Sequence, residues 1–396
     1  MKALRFRSFI HLRWEPIATF ILVVASVSML STATATILQG FYRCFRGYLG
    51  GGEGIIALYD MGSSTPFTGL VSSRIADYLA SIDGVLAFSM EILAPCIVYG
   101  EPMIARGVYL DDFLKLTGID IIDGCIPSSD DLRYALIGFR AASRLRVEPG
   151  VKLLVLGVLS DRYVEVKVEA VYRSDTALDD EIIVPIHVGR WIRGVGDGSV
   201  TLFRVKIDES KLSLGKLTEE LSSRIDVEDK PPHSGSLEPP KHPTPIYGYI
   251  PTTSGLIGVS TIERYMERYM EPYGLTGWSI TLLSVSTVIF ASLTIVAAFR
   301  MMIERHRAEL TIFRFLGLSR RDLKIGILLK LTPCILLSSL IGFASGLALV
   351  EVLEFYGLLR ILSYTVSAGF YPATLPVSIA STMLLAILSI AWSDAA

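Results

Sequence analysis

Charged side chains are missing from four long stretches of this chain, 17–38, 278–299, 331–350 and 373–392. A run of about 20 apolar residues forms a helix about 30 Å long, which matches the hydrocarbon core of a bilayer. The four stretches therefore predict four membrane-spanning helices. They divide unevenly, because the segment 39–277 between the first and the second is long enough to hold a folded domain.

Catalytic and cofactor-binding motifs are missing as well. The sequence holds no phosphate-binding G-x-x-x-x-G-K-[ST] loop, no G-x-S-x-G, no H-E-x-x-H and no C-x-x-C. The apolar stretches hold no Asp, Glu or His that would mark an ion pathway. His233 and His242 are close in sequence, but their proline-rich surroundings offer no further ligand at metal-binding spacing. We therefore expect no catalytic residue, no metal site and no cofactor in this chain.

Cysteine is scarce, with four residues in the whole chain. Cys44, Cys96 and Cys125 fall in the segment 39–277, and Cys334 falls in the third apolar stretch. Three cysteines permit one intramolecular disulfide at most. A Cys96–Cys125 disulfide and unpaired packing cysteines are both compatible with the sequence.

Charge is segregated along the chain, although the formal net charge is only −2. Lys2, Arg5, Arg7 and Arg13 precede the first apolar stretch, and arginines crowd the connection after the second. Short basic loops stay in the cytosol during membrane insertion. Both termini are therefore expected in the cytosol and the acidic segment 39–277 outside the plasma membrane. An acidic exterior segment also argues against a nucleic-acid partner.

The predicted fold class is an α-helical membrane protein, with four transmembrane helices (1+3) and a large extracytoplasmic α+β domain. Ala33-Thr34-Ala35 resembles a signal-peptide cleavage site, but the apolar run continues to Leu38 and favours an uncleaved anchor. The predicted boundaries are a cytosolic amphipathic N-terminal helix (1–15), transmembrane helix 1 (16–38), the extracytoplasmic domain (39–277), transmembrane helix 2 (278–302), a cytosolic coupling segment (303–322), transmembrane helix 3 (323–350), an outer loop (351–371) and transmembrane helix 4 (372–393).

The extracytoplasmic domain is predicted to contain alternating strands and helices, because alternating and helical apolar spacings follow one another along it. Prolines concentrate in 231–251, which predicts an exposed loop. A stalk helix is predicted over 257–271, since five apolar residues fall on one helical face. That face consists of Ile262, Tyr265, Met266, Tyr269 and Met270.

The short connection between the second and third apolar stretches is predicted to form an amphipathic helix. Gly317 is a favourable residue just beyond a helix end, and Ser319 is suited to cap the next helix. A solvated loop and a handle for a cytosolic partner are both compatible with this pattern. Further on, Gly342 and Gly346 form a G-x-x-x-G pair that permits close helix packing, within the chain's own bundle or at a dimer seam.

The same connection resembles the FtsX/MacB family of ABC transporter permeases, whose members carry E-R-x-x-E-[IL]-G-[IL]-x-R-x-[LM]-G-[AL]-[ST]-[RK] there. Thr311 replaces the usual glycine of that pattern, and the exterior sequence from Ala135 to Pro185 is similar to a MacB-type periplasmic core domain. The matching residues are Glu304, Arg305, Glu309, Leu310, Ile312, Arg314, Leu316, Gly317, Ser319 and Arg320.

The resemblance implies a permease driven by a separate cytosolic ABC ATPase, which would bind the ATP and magnesium. It implies that the matching residues, together with Phe313, couple this ATPase to the membrane helices. It further implies a homodimer or heterodimer in contact with membrane lipids, acting on a lipophilic or exported substrate. The chain itself is not expected to be an enzyme.

Two other functions stay open at the level of sequence. The chain could be a non-transporting FtsX-like regulator that activates an extracellular hydrolase through the same conformational stroke. It could also be a membrane-anchored receptor that works without ATP. An adjacent gene for a small ATPase would argue against the receptor.

Overall fold

A computed structural model describes most of the chain. The described residues are 14–46, 54–63, 65–127, 131–224, 248–252, 255–261, 264–265, 268–269, 277–315, 319–361, 363–365, 376, 380 and 384. The chain divides into two compact units. The helical unit contains Met1–Tyr42, Thr276–Leu359 and Val366–Ala396, and the sheet unit contains Arg43–Leu275 and Arg360–Thr365.

The helices of both units are numbered here in chain order. They are α1 Trp14–Arg46, α2 Ile75–Ala80, α3 Leu110–Leu116, α4 Phe139–Leu145, α5 Ile186–Arg193, α6 Leu214–Arg224, α7 Gly277–Arg305, α8 Arg307–Phe315 and α9 Arg320–Phe355. A 3₁₀ turn spans Ala177–Asp180.

The strands are numbered in the same way. They are β1 Ile55–Asp60, β2 Val71–Ser72, β3 Val85–Val98, β4 Glu101–Val108, β5 Asp120–Gly124, β6 Tyr134–Gly138, β7 Lys152–Gly157, β8 Tyr163–Arg173, β9 Ile182–Pro185, β10 Ser199–Val200, β11 Leu202–Ile207, β12 Gly248–Thr252, β13 Gly255–Thr261, β14 Arg360–Ile361 and β15 Tyr364–Thr365.

Two of the described helical stretches are long and apolar enough to cross a membrane, Ile17–Gly40 in α1 and Ile325–Phe355 in α9. The second predicted transmembrane stretch lies within α7. In the fourth, only Pro376, Ala380 and Leu384 belong to the described residues, and each is helical. The count of four transmembrane helices therefore stays a prediction.

In the helical unit, α1 and α9 pack against each other through small residues. Gly342 and Gly346 of α9 lie against the backbone and side chains of α1, where an added Cβ would collide. The hydroxyl of Ser28 donates a hydrogen bond to the carbonyl oxygen of Ser339 at 3.0 Å. Both glycines of the G-x-x-x-G pair thus pack within the chain's own helices.

The sheet unit is built on an 11-stranded sheet. Its order is β12-β13-β1-β11-β3-β4-β9-β6-β8-β5, and β7 pairs with both β3 and β8. Most neighbours are antiparallel, whereas β4 with β9 and β6 with β8 are parallel. Strands and helices together form an α+β unit, as the sequence predicts.

Residues Ile55–Tyr59 of β1 are buried on both faces of the sheet, which explains why this part of the strand carries no charged residue. Ile56 and Leu58 belong to the largest hydrophobic cluster, which also contains Ile75 of α2. The alternate residues of β1 belong to a second cluster on the other face. The second cluster, called here the tyrosine cluster, includes Tyr59, Tyr265, Tyr269 and Tyr364, with Ile55, Ala57, Met61, Leu93, Ile104, Ala177 and Leu202 around them.

Strand β4 and helix α5 cross at van der Waals distance. A Cβ added to Gly107 would lie 2.8 Å from the Cα of Gly189, and one added to Gly189 would lie 2.6 Å from the Cα of Gly107. Both values are shorter than real Cβ contacts, so neither glycine accepts a side chain without movement of the backbone.

Two predicted boundaries in the sheet unit are wrong. The stalk helix over 257–271 begins too early, because Ile257–Thr261 continues β13 and pairs with β1. The end of the predicted proline-rich loop forms β12, which pairs with β13. Ladder hydrogen bonds to β1 and burial of Val259 stabilise this strand, which lies before the helical spacing that begins at Ile262. Residues 231–247 of that loop lie outside the described residues.

The predicted outer loop 351–371 also needs correction. Helix α9 continues to Phe355, and residues 360–365 form a small β14–β15 hairpin that belongs to the sheet unit. Residues 1–13 of the predicted N-terminal helix lie outside the described residues, and Trp14 already belongs to α1.

Candidate functional site

The predicted coupling segment contains one short helix between two long ones. Helix α7 ends at Arg305, α8 spans Arg307–Phe315, and α9 begins directly after Ser319. His306 forms the turn between α7 and α8. Its imidazole is buried, with Nδ1 2.8 Å from the carbonyl oxygen of Met302. The start of α8 is therefore fixed to the last turn of α7.

Helix α8 exposes large apolar side chains. Ile312 is 59% exposed and Phe315 is 88% exposed. These two residues are three positions apart, so they lie on the same side of the helix. Glu304 and Arg305 are exposed just before it. Exposed apolar side chains beside charged residues are compatible with contact with a partner protein and with contact with lipid.

The remaining predicted coupling residues are only partly described. Glu309, Leu310, Phe313 and Arg314 lie within α8, but their side chains are outside the described residues, as is that of Arg320 in α9. Leu316 and Gly317 lie wholly outside. Their roles stay predictions.

The sheet unit contains a second candidate site that the sequence analysis did not single out. Four charged residues, Glu91, Arg106, Glu181 and Arg204, are completely buried in it. Arg106 donates hydrogen bonds to both carboxylate oxygens of Glu181, through Nε at 2.6 Å and Nη2 at 2.9 Å. Glu91 accepts hydrogen bonds from both Arg106 and Arg204. Two cations thus balance two anions, which is the condition for burying charge.

The charges of this network are held in place by aromatic side chains. The guanidinium of Arg204 lies 4.8 Å from the centroid of the Phe113 ring. Burial lowers the pKa of Arg204, while the carboxylate of Glu91 opposes that shift. The hydroxyl of Tyr364, from the β14–β15 hairpin, donates to Oε1 of Glu181 at 2.7 Å. The hairpin therefore contacts the network directly.

A neighbouring pair of buried carboxylates lies in the 3₁₀ turn. Asp180 accepts hydrogen bonds from Nε of Arg140 at 2.9 Å and Nη1 of Arg144 at 3.0 Å. It also accepts from the backbone N–H and the hydroxyl of Thr365, each at 3.0 Å. Asp179 accepts from the backbone N–H of Ser174 at 2.6 Å. Burial raises the pKa of Asp179, although the hydrogen bonds from Ser174 and the positive charge of Arg140 counteract this rise.

The tyrosine cluster provides a third set of contacts on the same unit. The ring of Tyr265 lies 4.6 Å from that of Tyr59 and 5.1 Å from that of Tyr269, edge to face in both cases. The hydroxyls of Tyr269 and Ser63 are 2.6 Å apart. Burial raises the pKa of Tyr269 well above its usual value. The part of the predicted stalk stripe that is described, Tyr265 and Tyr269, is thus buried in the sheet unit.

A sequence signal for the buried network does exist. Glu91, Arg106 and Arg204 each lie inside a strand, directly between apolar or glycine residues. In the described part of the chain, no three His, Cys, Asp or Glu residues lie together with a geometry that could hold a metal ion. Cys96, Cys125 and Cys334 are free, so the Cys96–Cys125 disulfide does not form: Cys96 is buried and Cys125 is exposed.

The C-terminal part of the chain matches a known family. Residues 281–393, which include α8 and α9, match the model described as FtsX-like permease C-terminal. The predicted FtsX-like permease domain is thereby confirmed. Together with the two apolar helices, it supports a membrane protein. No curated protein matches the chain.

Several solved structures show similarity to part of this chain. One is the periplasmic region of MacB from Actinobacillus actinomycetemcomitans, with 12% identity and a TM-score of 0.33, covering 43% of this chain and 82% of that one. Another is the extracellular domain of the noncanonic ABC-type transporter YknZ from Gram-positive bacteria. It shows 17% identity and a TM-score of 0.33, covering 43% of this chain and 93% of its own.

Proposed function

We propose that this chain is the membrane-spanning permease subunit of an ABC transporter of the MacB/FtsX type. The observation that carries the proposal is the position of α8, a short helix with exposed Ile312 and Phe315, inside the segment that matches the FtsX-like permease model. A separate cytosolic ATPase binds this helix and supplies the energy, because the sequence lacks a phosphate-binding loop.

The ATPase acts on the membrane helices through α8. Exposed apolar residues anchor the helix in a groove of the ATPase, and the charges of Glu304, Arg305 and Glu309 set its register. The buried turn at His306 passes a displacement of α8 to α7, and the connection through Ser319 passes it to α9. The stroke reaches the extracytoplasmic sheet unit through these helices.

The substrate is handled outside the membrane rather than in a polar pathway through it. The apolar stretches carry no acidic or histidine side chain that would serve an ion. A lipophilic or already exported molecule fits this arrangement. The permease works as a homodimer or as a heterodimer with a similar chain.

The full chain in lipid nanodiscs, combined with the cytosolic ABC ATPase that co-purifies with it, tests the proposal. Ile312→Ala with Phe315→Ala should reduce recovery of the complex and its ATP turnover about tenfold or more, because exposed apolar anchors dominate binding free energy. Glu309→Lys should weaken coupling while leaving insertion intact. Thr311→Ala, at an exposed position of the same helix, is the matched control. Wild-type assembly and turnover in the double variant and in Glu309→Lys would overturn the proposal.

A further inference from the structure

The β14–β15 hairpin, residues 360–365, follows α9 inside the segment that matches the permease model, but it belongs to the sheet unit. Its two strands pair Arg360 with Thr365 and Ile361 with Tyr364. We infer that this docking hairpin is a mechanical coupling contact, through which the permease domain moves the sheet unit. The inference deepens the proposed function and rests on it.

The first support is the chemistry of Tyr364. Its hydroxyl donates to Glu181, a fully buried carboxylate that Arg106 holds with two further hydrogen bonds. Its ring lies in the tyrosine cluster. A hydrogen bond to a buried charge is stronger than one between neutral groups, and its loss leaves the charge less well compensated. Tyr364 is therefore bound to the interior of the sheet unit and not merely to its surface.

The second support is the way Thr365 binds Asp180. Its backbone N–H and its hydroxyl contact the two different oxygens of one carboxylate, which fixes the direction of the hairpin as well as its position. Asp180 is buried and also accepts hydrogen bonds from Arg140 and Arg144 on the same two oxygens. Arg360 adds a partly exposed ion pair with Glu101, with nitrogen and oxygen 3.7 Å apart. The docking hairpin thus has three polar attachments.

The third support is that two chain connections reach the same core. Tyr265 and Tyr269 precede α7, and Tyr364 follows α9. All three side chains are buried in the tyrosine cluster against β1. Since protein interiors are close-packed, a displacement of either connection is transmitted to the shared core rather than absorbed by it. The sheet unit is therefore attached before the second membrane helix and again after the third.

Hydrogen exchange of the full chain in nanodiscs tests whether the hairpin is bound as described. The amide of Thr365 donates to Asp180, so its exchange reports docking directly. Tyr364→Phe removes one hydrogen bond and keeps the ring, and Thr365→Val removes the hydroxyl and keeps the amide. The double variant should exchange at 360–365 about tenfold faster or more than wild type. Tyr356→Phe is the matched control, because Tyr356 is exposed. Equal exchange in the double variant and wild type would overturn the inference.

A second arm, with the partner ATPase present, distinguishes coupling from packing. In wild type, ATP should change the exchange of the 3₁₀ turn and β9. The double variant should assemble with the ATPase normally but lose at least half of that change. If the change persists although the hairpin has come loose, the coupling role is overturned and the proposed function stands. If wild type neither assembles with the ATPase nor responds to ATP, the proposed function is overturned and the coupling role falls with it.

Discussion

The sheet unit and the helical unit are each stabilised internally in a different way. The sheet unit buries a network of four charged side chains within an apolar core, whereas the described contacts between α1 and α9 rely on glycines, a serine hydroxyl and close backbone approach. The sheet unit folds in water, so burial of apolar surface stabilises it. This stabilisation offsets the desolvation cost of the balanced ionic network in its core. Between helices in a bilayer the hydrophobic effect gives no driving force, because lipid tails are as apolar as the side chains. Close packing of the helices has to supply the stability instead.

The largest expected effect comes from breaking the charge balance. Arg106→Met leaves Glu181 and Glu91 buried without their shared cation, so it should lower the free energy of unfolding of the sheet unit by about 3–5 kcal/mol. Thermal unfolding of the full chain measures this. Lys152→Met, which removes an exposed ion pair with Glu165, should cost less than about 1 kcal/mol. Equal stability of the two variants would contradict the view that the network is a buried, balanced unit.

The contrast between Cys96 and Cys125 tests burial in the same unit. Burial raises the pKa of the Cys96 thiol from 9.0 to about 12, which lowers its thiolate fraction about a thousandfold. Cys125 is exposed. A membrane-impermeant maleimide added outside intact cells should therefore label Cys125 at least about a hundredfold faster than Cys96. Site-resolved mass spectrometry reads both thiols at once, and denatured protein, in which both should react, is the control. Labelling of Cys125 only after lysis would contradict the predicted topology.

The packing of the helical unit is tested at its glycines. Gly342→Leu inserts a side chain where α1 already lies, so it should destabilise the helical unit by about 1–3 kcal/mol. Ala344→Leu, at an exposed position of the same helix, should have little effect. Resistance of the full chain to proteolysis in nanodiscs reports the difference. Wild-type resistance in the glycine variant would show that α1 and α9 do not pack closely there.

The smallest expected effect is a pH dependence with opposite signs at two aspartates. Burial raises the pKa of Asp60 above its usual 3.8, so its contribution to stability is present below pH 3.8 and is lost as pH rises through the raised pKa. Hydrogen bonds from Ser210 lower the pKa of Asp208, so its contribution is present above 3.8 and is lost as pH falls through the lowered pKa.

Unfolding curves across this acidic range measure both effects. Relative to wild type, Asp60→Asn should remove a loss of stability with rising pH, and Asp208→Asn should remove a gain. The two difference profiles should therefore slope in opposite directions. Profiles of the same sign would contradict the assigned environments.

The sequence predicts local structure here better than it predicts tertiary pairing. The apolar run of β1 and the short amphipathic helix α8 follow from spacing within a few residues. The predicted stalk helix begins too early, because its helical spacing starts only at Ile262, whereas Ile257 and Val259 alternate as in a strand that pairs with β1. Glu91 and Glu181 are far apart in sequence, so no local pattern shows that Arg106 joins them.

The candidate sites were likewise predicted only in part from the sequence. The exposure of Ile312 agrees with the predicted partner surface, but the sequence alone does not show which residues of α8 are exposed. Tyr364 was not among the predicted site residues, because it lies in a short connection and contacts Glu181, which is 183 positions earlier in the chain. The roles assigned to the other coupling residues stay predictions.

The close contact between Gly107 and Gly189 restricts which substitutions this sequence can accept during evolution. The atoms that block a side chain at either position belong to the main chain of the other, so no exchange of a neighbouring residue for a smaller one can make room. Each glycine is therefore the condition for keeping its counterpart. In related sequences that keep this crossing, we expect the two positions to be inherited together, and the loss of one glycine to accompany a shifted or shortened α5.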